Sequence, residues 1–221
     1  MEVNENKKKM TDGMSTGQKI SYYWYYYKWI YLLIAAAVIF AIVIGKTAYE
    51  KMNQDVVLHV VGANAGTYTD ECEKYFDDFL TKYDYDDRAV VEKEFSISTN
   101  QESSAEGAMA LQLLAALFAG GNVDIFISDA QLFDDECAKN AFINMEEFLP
   151  EDILERCSDR LYYAKDADGE EKPYGLLIAG TKLASGSLGL YSDEDKPVMG
   201  IGSQYSVEEM NVINMIEYLM E

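Results

Sequence analysis

Seventeen consecutive residues without a charge, Trp29 to Gly45 ("WIYLLIAAAVIFAIVIG"), constrain this chain more than any other feature. Lys28 and Lys46 close the run on either side. A helix rises about 1.5 Å per residue and a bilayer's hydrocarbon core is about 30 Å thick, so the run spans one with help from its flanks. Tyr22 to Tyr27 ("YYWYYY") suits the headgroup level, where aromatic rings concentrate. The reading is a transmembrane helix over Trp29–Ile44, because a helix buried in a soluble core rarely lacks a polar face for so long.

Lysine placement orients it. Lys7, Lys8, Lys9, Lys19 and Lys28 precede the run, and only Lys46 and Lys51 follow closely. The excess predicts a cytoplasmic N-terminus, a single pass through the cell membrane and an extracellular C-terminal domain. No small-x-small cleavage site follows the run cleanly, so a retained signal anchor is expected. The segments expected are a disordered tail over 1–20, the aromatic belt and anchor over 21–46, a stalk over 47–54 and an α/β domain over 55–221.

Charge divides at the anchor. Of 18 basic and 39 acidic side chains, 5 and 3 lie in residues 1–44, leaving 13 and 36 beyond, a net charge of −23. Such a field repels nucleic acid and anionic headgroups, so no nucleic-acid partner is expected; the membrane is met through Trp29–Ile44. Solubility is the simplest role for this acidity. Cys72, Cys137 and Cys157 lack metal-knuckle or redox spacing. Buried free thiols are expected; a single bridge, Cys137–Cys157, is the alternative.

Beyond the stalk the pattern alternates. "DVVLHVVG" (55–62) and "AVVEKEFSIS" (89–98) read as strands, and Val123–Ser128 as a third. Cys72, Tyr75, Phe76, Phe79, Leu80 and Tyr83 recur at helical spacing, with Thr69 or Asp70 as the cap. "AEGAMALQLLAALFAGG" (105–121) is apolar nearly all round and predicts a buried helix stopped by Gly120-Gly121. Ala130–Lys139 predicts another helix, Asp168-Gly169 a hairpin turn, "KPVMGIG" (196–202) a strand, and "SVEEMNVINMIEYLM" (206–220) a closing helix with a Ser206/Glu209 capping box. Successive strand–helix units imply an α/β fold, a mostly parallel sheet with helices on both faces.

In such sheets ligands bind beyond the carboxyl ends of the strands. Those ends are Gly62 to Thr67, Ser98 to Gln101, and Ser128-Asp129. The candidate ligand-binding residues are therefore Gly62, Asn64, Gly66, Thr67, Ser98, Ser128 and Asp129. "GANAGT" offers backbone N–H groups to an anion but lacks the lysine of a phosphate loop. Asp129 reads first as a helix cap and second as a ligand contact. "DADGEE" (166–171) has calcium-loop composition, yet the twelfth position is the apolar Leu177, so a plain hairpin is the better reading. His59, the only histidine, sits inside an apolar strand and reads as a core residue with one satisfied nitrogen. With no nucleophile–base motif, metal cluster or cofactor motif, neither catalysis, a metal nor a cofactor is expected.

The run "NVDIFISDAQLFDDECAKNAFINMEEFL", the hairpin "DADGEEKPYGLLI" and the close "KPVMGIGSQYSVEEMNVINMIEYLM" together resemble extracellular solute-binding proteins of ABC importers, of the type II periplasmic binding-protein fold. Asp168, Gly169, Tyr174 and Gly175 echo that family's D-G-x-x-Y-G hairpin, with four residues rather than two between the Asp-Gly and Tyr-Gly pairs. The resemblance implies binding of a small solute or peptide and partnership with membrane transporter subunits. Family members have two lobes that close on ligand, whereas only about 20 residues separate Gly175 from the last predicted strand here. The implied protein is a membrane-anchored, single-lobe relative. Its alternative is a non-catalytic interaction subunit of a membrane complex that keeps the fold without a ligand site.

Overall fold

A computed structural model describes residues 13–100, 104–184 and 186–220. They fall into two units, divided between Gln54 and Asp55. The first is one helix, α1 (Thr16–Met52). Its stretch Tyr27–Lys46 is long and apolar enough to cross a membrane, and none of that stretch is buried. Trp24, Trp29, Leu33, Ile39 and Phe40 all stand exposed along it. Residues 16–20, expected in the disordered tail, and 47–52, expected as stalk, are helical. Once a helix is nucleated each further residue adds one bond at little cost, so neither polar flank breaks it.

The second unit holds a six-stranded sheet in the order β2-β1-β3-β6-β5-β4. The strands are β1 (Asp55–Ala63), β2 (Ala89–Ile97), β3 (Ile125–Ser128), β4 (Leu161–Lys165), β5 (Glu171–Leu177) and β6 (Val198–Ile201). β2, β1 and β3 run parallel. β6 is antiparallel to both its neighbours, β3 and β5, and β4 is antiparallel to β5. Four of the six strands point one way, but the sheet is mixed rather than wholly parallel. For the β4–β5 pair the reason is local: the turn at Asp168-Gly169 folds β5 straight back on β4, and two strands joined by so short a turn can only be antiparallel.

Alternation along the strands sends side chains to two faces. On one face Leu58, Val60, Ile125, Ile127, Met199 and Ile201 meet α2 (Asp70–Lys82), the short helices α5 (Met145–Phe148) and α6 (Glu151–Arg156), and α7 (Glu209–Met220). On the other, Val61, Ala63 and Phe126 meet α3 (Ala105–Ala119) and α4 (Ala130–Cys137). Helices thus cover both faces.

Three expectations are corrected. α3 is not buried: Gly107 and Leu114 are, whereas Met109 and Leu113 are 68% and 45% exposed. A helix without amphipathic periodicity carries no mark of which face turns inward, and only one stripe of α3 reaches the sheet. The Ser206/Glu209 capping box is absent. α7 begins at Glu209, the Ser206 N–H donates to Asp124 at 2.8 Å, and the Glu209 carboxylate accepts from the Tyr205 hydroxyl at 3.0 Å. The alternative bridge Cys137–Cys157 is excluded, because the two lie in cores on opposite sides of the sheet; all three cysteines are buried free thiols.

Candidate functional site

The carboxyl ends of β1, β2 and β3 meet through side chains. Asn64, just past β1, adopts a left-handed backbone (φ 56°) that an Asn tolerates better than most residues. Its N–H donates to the Ile97 carbonyl at 2.8 Å. That turn aims the carboxamide across the strand ends. Nδ2 donates to Asp129 Oδ2 at 2.7 Å and to Thr99 Oγ1 at 3.0 Å, while Oδ1 accepts from the Thr99 N–H at 2.7 Å and its hydroxyl at 3.2 Å. Asp129 spends its other oxygen on the N-terminus of α4, accepting from the Leu132 N–H at 3.1 Å. One carboxylate caps a helix and ties two strands together.

Tyr191 closes the same edge. It arrives on the long segment between β5 and β6, and its buried hydroxyl shares its one proton between the carbonyls of Ala63 (3.2 Å) and Ile127 (3.0 Å), at the ends of β1 and β3. Burial pushes this phenol's pKa well up, with the charge of Asp129 adding to the effect, so it remains a neutral donor. The same segment holds the β1–α2 loop, since the Gly66 N–H donates to the Leu190 carbonyl at 2.7 Å.

Each predicted site residue can now be placed. Asn64 and Asp129 are brought together. Ser128 is buried and donates to the Asp129 carbonyl at 3.0 Å. Gly62 is buried against the Phe95 ring and lies near the Tyr191 hydroxyl, so its missing Cβ serves packing. Gly66 faces Leu190, and Thr67 and Ser98 are exposed at the rim. Gln101, the end of the predicted β2 loop, lies outside the described residues. Among the described residues no buried side-chain polar atom lacks a partner. Thr99 falls inside the predicted strand end 98–101 without being one of the candidate residues, and Tyr191 lies outside all three predicted strand ends. A Thr at a strand end is a weak signal, and a tyrosine that bonds 128 residues upstream leaves none.

A second polar centre lies at the start of β3. Asp124, fully buried, accepts from the His59 N–H (2.7 Å), from His59 Nδ1 (2.8 Å) and, on its other oxygen, from the Ser206 N–H (2.8 Å). The hydrogen bond to Asp124 raises the His59 pKa above its ordinary value against the opposing pull of burial. His59 therefore has the satisfied nitrogen expected of it, but it is half-buried rather than a core residue, its ring standing between the Asp124 and Glu92 carboxylates; Asp124, a lone carboxylate in an apolar run, was the overlooked signal. Ser206 Oγ lies 3.5 Å from the same Nδ1 that Asp124 occupies, and Nε2 is 3.6 Å from the Glu92 carboxylate. A nucleophilic triad needs serine and carboxylate on opposite ring nitrogens, so this trio is not arranged as one. It clamps β1, β3 and the approach to α7.

The "DADGEE" segment forms the β4–β5 turn. Asp166 Oδ1 accepts from the Asp168 and Glu170 N–H groups at 3.0 and 2.9 Å, and Oδ2 from the Tyr174 hydroxyl at 2.9 Å. These bonds, the Tyr174 one foremost, lower the Asp166 pKa. No family model and no curated protein matches this chain.

Proposed function

We propose that this chain is a non-catalytic interaction subunit of a membrane complex, anchored by Trp29–Ile44, that keeps a single solute-binding-protein-like lobe without a working solute site. The observation that carries it is the closed strand edge: Asn64, Thr99 and Asp129 satisfy one another, and Tyr191 occupies the carbonyls of Ala63 and Ile127. A solute entering there must displace made hydrogen bonds, each costing about 1–3 kcal/mol if its partner is left buried and unpaired. The lysine excess before the apolar run supports a cytoplasmic N-terminus and an extracellular residue 55–221 domain.

A second reading, capture of a small solute or peptide for a transporter, is favoured by Thr67 and Ser98, which stand exposed beside half-buried Asn64 and Asp129. A thermal-shift screen of the detergent-solubilised chain against sugars, amino acids and oligopeptides separates the two. A ligand at a hundred times its Kd stabilises by about 2.7 kcal/mol. The interaction reading expects no saturable shift from any solute; one such shift overturns it.

A further inference from the structure

His59 on β1 stands directly opposite Glu92 on β2 in the parallel register. Its Nδ1 lies 2.8 Å from an oxygen of fully buried Asp124. A carboxylate only accepts, so in the neutral ring Nδ1 carries the proton and Nε2 keeps its lone pair. That lone pair is on the side of Glu92, whose Oε2 is 3.6 Å from Nε2. With Glu94, Leu117 and Asn122 the two residues line a hollow of about 380 Å³, open to solvent water.

We propose that His59 Nε2 and the Glu92 carboxylate hold a divalent d-block cation of the zinc class, with water completing its shell. Spacing carries the proposal. A direct N–H···O hydrogen bond runs to about 3.2 Å, so the pair stands too far apart for one. Two ligands that each lie about 2.1 Å from a tetrahedral ion are about 3.4 Å apart. The gap between Nε2 and Oε2 suits an ion, not a shared proton.

The support behind the ring agrees. A metal-bound histidine generally gives its other N–H to a carboxylate, which fixes the tautomer and the ring plane. Asp124 is such a carboxylate, itself held by the N–H groups of His59 and Ser206 at 2.7 and 2.8 Å. The donor set selects the ion: imidazole nitrogen suits zinc and copper(II), whereas calcium and magnesium take oxygen ligands. Among the described residues no group of three His, Cys, Asp or Glu side chains gathers at one point. The protein therefore supplies two ligands, and binding is weaker than at a closed four-ligand site. The ion fastens β1 to β2, the strand at the sheet's edge. This centre lies at the start of β3, away from the strand ends, so it does not rest on the interaction reading.

The test is calorimetric titration of the detergent-solubilised full chain with zinc, at mildly alkaline pH because protons compete for Nε2. Excess calcium is present throughout. It fills sites made of carboxylates alone and so removes the general pull of 39 acidic side chains. Cys72, Cys137 and Cys157 are buried and do not compete. One zinc per chain is expected. Glu92→Gln should weaken it at least about tenfold, since loss of a merely supporting group already costs that much. The Glu92 side chain is 62% exposed, so this variant keeps its fold and decides the matter even if His59→Gln, expected to abolish binding, does not fold. Glu71→Gln, an exposed carboxylate on α2, should bind as the parent does. No stoichiometric zinc in the parent leaves His59 and Glu92 as an ion pair only and overturns the site. Stoichiometric zinc that survives Glu92→Gln, or that Glu71→Gln weakens equally, overturns it too.

Discussion

Asn64 donates to Asp129 at 2.7 Å across 65 residues of sequence, and this bond joins the end of β1 to the end of β3. The same carboxylate caps α4 through the Leu132 N–H. The edge that would have to open for a solute is therefore a point where two strands and a helix are fastened. Removing Asp129 loosens all three.

Asp129→Ala should cost about 0.5–2 kcal/mol for the cap alone. Its loss also leaves an Asn64 donor without its shortest partner, so the upper end is expected. Asp129→Asn keeps an acceptor for Leu132 and should cost much less. Chemical denaturation of the two variants beside the parent checks the order.

The clamp at the start of β3 predicts a pH dependence. His59 has a raised folded pKa, so in the window between its unfolded value, about 6.5, and that raised value the native state binds more protons than the unfolded chain. Stability from this pair is fully present below about pH 6.5 and is lost as pH rises through the folded pKa. A melting-temperature profile from pH 5.5 to 9 should show the decline, and His59→Gln should flatten it. Asp124→Ala strips three N–H donors of their acceptor at a fully buried site and should cost about 3 kcal/mol or more.

Much of this architecture was readable from local pattern, because local pattern was what built it. An apolar run closed by glycine marked β1, alternation marked β2, and the spacing of Cys72, Tyr75, Phe76 and Phe79 marked the buried face of α2. Asp129 declared itself as a cap by standing between an apolar strand and a helix. The unread parts are long-range. Nothing near Tyr191 announces that its hydroxyl reaches the ends of β1 and β3, and Asp124 and His59 acquire meaning only once β1 and β3 lie side by side. α3 misled for a different reason: its composition is uniform, so burial was inferred where exposure on one side is the fact.

The thiols offer a simple check of the two-faced core. Burial pushes the Cys137 thiol up to about 12 and raises Cys157 as well, so neither supplies thiolate at neutral pH. In the native chain an aromatic disulfide reagent should label the cysteines orders of magnitude more slowly than in denaturant, and all three should then react. Fewer than three thiols in denaturant under non-reducing conditions would contradict the unbridged core.

Membrane orientation is checked by protease added to intact protoplasts. Residues 55–221 should be digested and the segment before α1 protected. Complete protection of the C-terminal domain would contradict the lysine-based orientation.

The central claim is that the strand ends form a structural lock rather than a solute site, and a double-mutant cycle on Asn64→Ala and Asp129→Ala tests it most directly. Groups that share one hydrogen-bonded network typically couple by about 0.5–3 kcal/mol. The account predicts that each single variant is destabilised and that the double variant loses less than the sum of the two, by an amount in that range. Two single variants as stable as the parent, with additive effects and loss of a solute that the parent binds, would contradict it.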